Sequence, residues 1–466
     1  MSSTFTGVTT ALNALLAQRR ALDVTSQNIA NQATPGYSRQ RAELTAVTSV
    51  GGSGLYSTVE APGWGSQVSS ITRIVDGFID SRQRAAHGTS GSATEHLAAL
   101  TSIEQLVNEP SDTGLAKQLS EFWSSWDVVG NNPDDEGARS ALINTAATVT
   151  QTLRAGRAGL DERFASGRDQ LGALTAEVNS LASTVATLND RIRVGVATGS
   201  QVNELTDQRD QLVLALAELT GASVQPHEDG TVDVLVGGRA LVRGDKAAAL
   251  ALVGGTTMGS VVADPPRLVW ADGSTAAVAS GRTAGLIGSL RTSYPTAAAG
   301  YDTVAASLVA RVNALHVGGT DLNGAAAGAF FSGTDAGNID VAAALTGPGG
   351  GRKVAAGSAS GGAFDSTVAD AIAQLRSAAD GPDAAWRSYV AQLGVQTQTA
   401  QRRSAIQDVV SRQSDAARDS VSGVSLDEEM ANMLTFQRGY EGAARVLTTV
   451  DQMLDTLINR TGLVGR

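Results

Sequence analysis

The side chains that most often carry out chemistry are few and scattered in this chain. Its histidines, His87, His96, His227 and His316, match no metal-ligand spacing. The absence of cysteine excludes disulfides, thiolate metal sites and cysteine nucleophiles. There is no P-loop, nucleophile-elbow or dinucleotide-binding motif. We therefore predict no enzymatic activity, no metal and no cofactor, and we assign each histidine to packing or to the surface.

One acidic segment partly resembles a calcium-binding loop. It begins at Asn132 and includes Asp134 and Glu136, but its twelfth position is Ile143, where such a loop has Glu. Acidic residues are also favoured at the N-terminus of a helix, beside the positive end of the helix dipole. We predict a helix start here and no calcium site.

The overall charge narrows the choice of partner. The chain has 46 acidic and 35 basic residues, a net charge of -11, so we expect neither nucleic acid nor an anionic membrane as partner. Residues 1–16 lack the basic and apolar pattern of a signal peptide. No apolar run approaches the ~18 residues that a membrane span needs. These features alone leave a soluble cytoplasmic protein open.

The beginning of the chain predicts a helix followed by a turn. The apolar residues that recur at heptad-like spacing include Leu12, Leu15 and Leu22. The helix should stop near Pro35, because proline biases the backbone of the residue before it toward extended geometry. Gly36 permits the positive φ of a type II turn. We predict an extended segment over 37–47, a loop over 51–54 and a β-like stretch over 55–59.

The middle of the chain predicts long helices and a smaller β part. Helical spacing starts near residue 71 and is longest over 142–192, and a return helix over 202–219 should pack antiparallel to it. Trp123 and Trp126 are better explained as core anchors than as a stacking platform. The remaining predicted elements are a hairpin over 231–242, a strand over 267–270, a helix over 283–316, loop or β structure over 317–362, and helices from about 366. The fold class is therefore mainly α with a smaller β part.

The last helix has the strictest pattern in the sequence. Ser425 and the acids after it suit an N-cap and first turn. The seam, at 4/3 spacing, is Leu426, Met430, Met433, Gln437, Tyr440, Ala444, Leu447, Asp451, Leu454 and Ile458. One narrow row of apolar side chains does not offset the entropy of ordering a lone helix. We predict that this helix is ordered only when it has partners.

The two ends of the chain are complementary in charge. Residues 1–45 hold four arginines against two acids, net +2, and residues 424–458 hold six acids against two arginines, net -4. We predict that the terminal helices pair as a coiled coil. Such a seam is either an ordinary core or an assembly surface. Its position at chain ends, which usually fray, favours assembly.

The terminal motifs resemble those of a known family. ALDVTSQNIAN (21–31) followed by TPGYSR (34–39) resembles the N-terminal signature of the flagellar rod, hook and hook-associated protein family. SGVSLDEEMAN (422–432) and DQMLDTL (451–457) resemble the family's C-terminal segment. Blocks at 72–76, 203–212 and 313–316 are similar to family blocks in the same order. The resemblance therefore covers nearly the whole chain.

The resemblance implies a secreted structural subunit of the bacterial flagellum at the junction between hook and filament. It implies type III export, an export chaperone at the C-terminal helix, and self-assembly into a helical ring. The expected neighbours are the hook protein and hook-associated protein 3. The paired terminal helices would form an axial core and the middle domain an outer layer. Because 317–362 is short, we expect a large outer β domain to be absent.

The predicted domains follow from this arrangement. Residues 1–70 with 405–466 would form a discontinuous terminal helical domain. Residues 71–404 would form the middle domain, helical over 71–222, 282–316 and 365–404, and β or loop over 223–281 and 317–362. The predicted assembly residues are Leu12, Leu15, Leu22, Asn28, Asn31, Pro35, Gly36, Tyr37, Leu426, Met430, Met433, Tyr440, Leu447, Leu454 and Ile458.

Some alternatives stay open at the level of sequence. Asn28 and Asn31 suit either helix C-capping or hydrogen bonds between subunits. A hook or rod subunit shares the N-terminal signature, although a hook subunit should have a dominantly β middle. The hypothesis of an intracellular coiled-coil scaffold does not explain why the sequence contains the TPGY turn. An enzyme such as a wall hydrolase would need a general acid/base pair, and this sequence offers no plausible one.

Overall fold

The computed structural model describes residues 2–48, 63–362 and 364–460. The loop expected over 51–54 and the β-like stretch expected over 55–59 lie outside the described residues. Helices dominate the described chain, with short antiparallel sheets between them, so the mainly α class with a smaller β part is confirmed.

The chain begins with a long helix and a two-stranded sheet that precede the helical body. The elements are α1 (Ser2–Ala30), β1 (Gln40–Ala46), β2 (Ser66–Arg73) and α2 (Gly77–Val107). β1 and β2 pair antiparallel. The prediction of a helix from about residue 71 was wrong, because 71–73 complete the ladder with β1. The helix starts only after Asp76, whose carboxylate caps it by accepting from the Phe78 amide at 2.8 Å.

Three further helices follow in the chain. They are α3 (Leu115–Asn131), α4 (Glu136–Ala197) and α5 (Asn203–Thr220). The predicted long helix and its antiparallel partner are confirmed, and α4 extends over 62 residues. The acidic segment is the start of α4, where the Asp135 side chain accepts from the Gly137 amide at 2.7 Å. Helix capping therefore accounts for those acids.

The predicted β segment folds onto α4. It contains β3 (Ser223–Pro226), β4 (Val232–Val236), β5 (Arg239–Arg243), β6 (Lys246–Ala247), β7 (Leu250–Val253) and β8 (Arg267–Trp270). The first four strands form an antiparallel meander, and β7 pairs with β8. Gly237 and Gly238 both have positive φ, as a two-residue type I′ hairpin requires, so the predicted hairpin is confirmed.

The remaining elements return the chain toward its start. They are α6 (Gly281–Gly288), α7 (Tyr294–His316), β9 (Gly319–Thr320), β10 (Phe331–Ser332), β11 (Asp340–Val341), α8 (Ala343–Thr346), β12 (Gly357–Ser358), α9 (Thr367–Ala373), α10 (Pro382–Ser422) and α11 (Leu426–Asp455). A π-helical turn over 289–293 joins α6 and α7 into one helical run, which confirms the helix predicted there. The predicted boundary at 404/405 falls inside α10, so the division into two domains stays a prediction.

A cluster of aromatic side chains packs in the core. Phe122 and Trp126 on α3 contact Phe330, and all three side chains are fully buried. His316 lies beside them, donates from Nδ1 to the Gly328 carbonyl at 2.7 Å and accepts from the Ala355 amide at 2.9 Å. Burial lowers the pKa of His316, so this histidine is a neutral packing residue. The core role assigned to Trp126 is confirmed.

Candidate assembly interface

The terminal helices α1 and α11 lie side by side and run antiparallel. A Cβ placed on Gly7 would lie 3.6 Å from Val450 Cγ2. Farther along α1, a Cβ on Gly439 would lie 2.9 Å from the Gln18 side chain. Toward its C-terminus Asn28 donates to Glu429 at 3.1 Å. The two ends of the chain are therefore in contact, as their charges suggested, while the supercoiling of a coiled coil stays a prediction.

Small side chains form the buried face of α1. Among residues 7–30 of this helix, the buried ones are Ala11, Ala17, Ala21, Val24, Thr25 and Asn28. Leu12 is 44% exposed, and Leu15 and Leu22 are only partly buried. The predicted leucine stripe is thus rotated away from the centre of the contact, because close approach to α11 and the β1–β2 sheet requires small residues.

The predicted seam of α11 is divided between two faces. Met433, Tyr440, Leu447 and Leu454 are partly buried. Leu426, Met430 and Ile458 are exposed, Met430 at 57%. Ser425 occupies the N-cap position, but its side chain makes no capping hydrogen bond. Much of the apolar surface of α11 is therefore left uncovered by its own chain.

Asn28 is a buried hydrogen-bonding centre within one chain. Its Nδ2 donates to the Gln40 carbonyl at 2.8 Å and to Glu429 Oε2 at 3.1 Å. Its Oδ1 accepts from the Gln40 amide at 3.0 Å and from the Tyr37 hydroxyl at 2.9 Å. The structure thus places Asn28 in a third role, since its amide joins α1, β1 and α11. Asn31 has the local role, because its Nδ2 donates to the Gln27 carbonyl at the end of α1.

Arg39 completes the link between the N-terminal segment and α11. Its Nε lies 2.7 Å from Glu429 Oε1, and its Nη1 lies 2.5 Å from Glu428 Oε2. Its backbone amide also donates to the Ser422 carbonyl at 2.8 Å. In the sequence these residues contribute only to the opposite net charges of the two chain ends. The only signal for this pair in the sequence is opposite charge, and charge alone does not select a partner 390 positions away.

The TPGY turn has the predicted geometry. The Tyr37 amide donates to the Thr34 carbonyl at 3.2 Å, and Gly36 has a φ of 76°, so the type II turn is confirmed. The Pro35 carbonyl accepts from the Gln211 side chain on α5. The Tyr37 hydroxyl reaches Asn28, and burial together with the Asp207 charge raises the tyrosine's pKa.

A second set of charged groups ties the turn to α5. Asp207 Oδ2 accepts from the Ser38 amide at 3.2 Å, and Arg73 Nη2 lies 2.8 Å from carboxylate oxygens of both Asp207 and Asp210. Burial raises the pKa of Asp207, and the Arg73 charge opposes that rise. We call Asn28, Arg39, Arg73, Asp207 and Glu429 the clasp. It joins both chain ends to the helical body.

Neither a metal-binding cluster nor a membrane-spanning helix is found in the part of the chain that the structure describes. Residues 2–48, 63–362 and 364–460 contain no group of three or more His, Asp or Glu placed to hold a metal ion. Among the same residues, no helix has the length and hydropathy required to cross a membrane.

Comparison with known proteins agrees with both ends and the middle of the chain. Residues 9–37 match the model of the flagella basal body rod protein, and residues 418–460 match the flagellar basal body rod FlgEFG protein C-terminal model. Residues 100–331 match the flagellar hook-associated protein FlgK helical domain. These matches define a structural protein of the bacterial flagellum and not an enzyme.

Individual relatives narrow the class. Flagellar hook-associated protein 1 of Bacillus subtilis (strain 168) is 30% identical over 516 residues, covering 100% of both chains. That of Escherichia coli (strain K12) is 26% identical, covering 97% of this chain and 99% of the relative. The chain belongs to the flagellar hook-associated protein 1 family.

A solved structure is also similar to part of the chain. The flagellar hook junction protein FlgK from Burkholderia pseudomallei is 27% identical with a TM-score of 0.49. The match covers 54% of this chain and 46% of that one.

Proposed function

We propose that this chain forms the junction between hook and filament by helical self-assembly outside the cell, after type III export. The observation that carries the proposal is the uncovered apolar surface of the terminal helices. The described large apolar side chains of α1, α11 and the helical turn after α11 that have more than two fifths of their surface exposed are Leu12, Leu16, Leu426, Met430, Leu434, Val446, Met453 and Ile458. A helical polymer of the chain would bury them against copies of itself.

The low burial of α11 against its own chain supports the same proposal. The only fully buried side chain that the structure describes on α11 is that of Glu429, whereas α4 buries an apolar face along its length. An exposed apolar patch of this kind marks a protein interface. The proposed partners are further copies of the chain, the hook protein below, hook-associated protein 3 above, and an export chaperone on α11 before assembly. Coiled-coil packing in an axial core is part of this proposal.

The decisive experiment is reconstitution on isolated hooks. We expect purified protein to add a cap at the distal end of each hook, seen by electron microscopy. Met430→Asp should abolish the cap, because it places a charge on the outward apolar surface. Val262→Asp is the matched control, since Val262 is 93% exposed in a loop outside the terminal helices and should tolerate the charge. A normal cap with Met430→Asp, or none with the wild type, would contradict the proposal.

A further inference from the structure

Methionine is rare in this chain and is concentrated in α11. The sequence has five methionines, and the 30 residues of α11 hold three of them, Met430, Met433 and Met453. Leucine supports a helix as well as methionine does and occurs four times in α11, so helix formation does not account for the choice. Methionine differs from leucine in its polarisable thioether, which can be oxidised.

The structure exposes two of these thioether side chains and covers the methionine of the helical body. Met430 is 57% exposed and Met453 is 52% exposed, whereas Met433 is partly buried. Met258, in the turn between β7 and β8, is only 5% exposed. Met1 lies outside the described residues. Among the described methionines, an oxidant in solution therefore reaches sulfur on α11 before it reaches sulfur in the core.

Oxidation would convert these apolar side chains into polar ones. The Sδ lone pair attacks one oxygen of hydrogen peroxide, and the O–O bond breaks. The sulfur is oxidised by two electrons and keeps that oxygen as a sulfoxide. The proton of the attacked oxygen passes to the departing hydroxide, which leaves as water. Because the chain has no cysteine, no thiol of its own competes for the oxidant.

Both exposed methionines lie in the surface that the proposed self-assembly would bury. Met430 lies one helical turn from Leu426 and one from Leu434, and both leucines are exposed. Met453 lies two turns from Val446, which is also exposed. A sulfoxide oxygen buried among such side chains would lose its hydrogen bonds to water and gain no partner. Oxidation of either sulfur therefore opposes the contact.

We propose that Met430 and Met453 are oxidation sites at which a hydroperoxide controls whether the free chain can assemble. The sulfoxide form does not assemble, and reduction of the sulfoxide restores the apolar side chain. A chain already in the polymer is protected, because neighbouring copies cover both sulfurs. This proposal rests on the proposed self-assembly and adds a chemical modification that acts on the same surface.

The order of oxidation tests the assignment of the sites. Free protein is treated with hydrogen peroxide for increasing times, and fragment-ion mass spectrometry of its peptides follows the sulfoxide at each methionine. We expect Met430 and Met453 to react at least about tenfold faster than Met258, because the rate follows exposure. In caps already formed on isolated hooks, both should react at least about tenfold more slowly than in free protein. Equal rates for Met430 and Met258 in folded protein, or unchanged rates in caps, would overturn the proposal.

The rate of cap growth tests the consequence of oxidation. Wild-type protein oxidised at both sites should cap isolated hooks at least about tenfold more slowly than untreated protein, because the sulfoxide oxygen would be buried without a partner. Methionine sulfoxide reductases with dithiothreitol, which supplies the two electrons, should restore growth. Urea unfolding checks that the helical body stays folded after oxidation. Normal growth of the oxidised protein would overturn the proposal.

Leucine variants separate the two exposed sulfurs from the others, and each variant is compared with its own untreated sample. In Met430→Leu with Met453→Leu, peroxide should change the rate of cap growth by less than about twofold, because leucine has a similar volume and no sulfur. Met258→Leu is the matched control and should keep the full effect of peroxide. An equal effect of peroxide on the double variant and on the wild type would place the inhibition at Met433 or elsewhere and overturn the proposal. If untreated wild-type protein forms no cap, self-assembly fails and its control by oxidation fails with it, whereas the order of oxidation is measured independently.

Discussion

Asn28 shows what a single amide can do at a junction of three elements. Both hydrogens of its Nδ2 and both acceptor positions of its Oδ1 are used, toward Gln40, Tyr37 and Glu429. Only the amides of Asn and Gln offer two donors and two acceptors from one planar group, and the Gln side chain is longer by one methylene. The residue type is therefore set by the clasp and not by helix propensity.

A substitution at Asn28 tests this. Asn28→Asp replaces the donor to Glu429 with a second buried carboxylate, so we expect the free energy of unfolding of the α1–β1–α11 contact to fall by about 3 kcal/mol or more. The readout is urea unfolding together with amide exchange over 26–46. Asn31→Asp is the control, because the Asn31 side chain bonds only to its near neighbours Gln27 and Thr34 and the change should affect stability little. Equal effects of the two variants would contradict the role of the clasp.

Some roles of individual residues could be predicted from the sequence and others could not. The positive φ of Gly36 was predictable, because a type II turn requires it and the local motif defines the turn. The ion pair of Arg39 with Glu429 was not, because 390 residues separate the partners and local patterns carry no information on such a contact. The role of Asn28 was open for the same reason.

In helix α4, a glycine that lowers helix stability can still be required by tertiary packing. Glycine lowers helix stability wherever it occurs in a helix interior. At Gly156, however, a Cβ would lie 2.3 Å from Tyr301 Cε1, and the Tyr301 ring is buried. At Gly172 no atom lies within 4 Å of the same position. The two glycines therefore differ in what they do for the fold.

This difference predicts opposite effects of one substitution. Gly156→Ala should destabilise the protein by about 1–3 kcal/mol, because overpacking against Tyr301 exceeds the gain in helix propensity. Gly172→Ala should stabilise it by up to about 1 kcal/mol. Thermal and urea unfolding measure both. A stabilising Gly156→Ala would show that Tyr301 moves aside freely.

Elements were predicted best where the pattern was long. The 3/4 spacing of apolar residues in α4 extends over many turns, so the sequence predicts a helix there without ambiguity. The Gly237-Gly238 pair is itself a signature of a two-residue hairpin turn. The face of α1 was misplaced because heptad counting favours leucines. In the structure alanines such as Ala17 and Ala21 make the close contact, and their small size is what allows it.

At the scale of the whole molecule, stability is unevenly distributed. The helical body shares one core, whereas α11 is held by a partly buried face and the clasp. Segments with few buried apolar contacts open at low free energy cost. Assembly would add contacts on the exposed side of α11 and leave α4 unchanged.

We therefore expect the amides of α11 to exchange rapidly in the dilute monomer and to become protected on hooks. The amides of the buried stretch of α4 should be slow in both states. Hydrogen–deuterium exchange with mass spectrometry, at matched pH and temperature, compares the two. Protection of α11 in the monomer equal to that of α4 would rule out folding coupled to assembly.

The clasp also has a consequence for how the chain is made. Asn28 and Glu429 are 401 positions apart, and a ribosome produces the first long before the second. The bond between them cannot close on a nascent or prematurely terminated chain, because α11 does not yet exist. Closure of the clasp thus requires a chain read through to α11, and in the proposed self-assembly only such a chain would present the exposed surface of that helix.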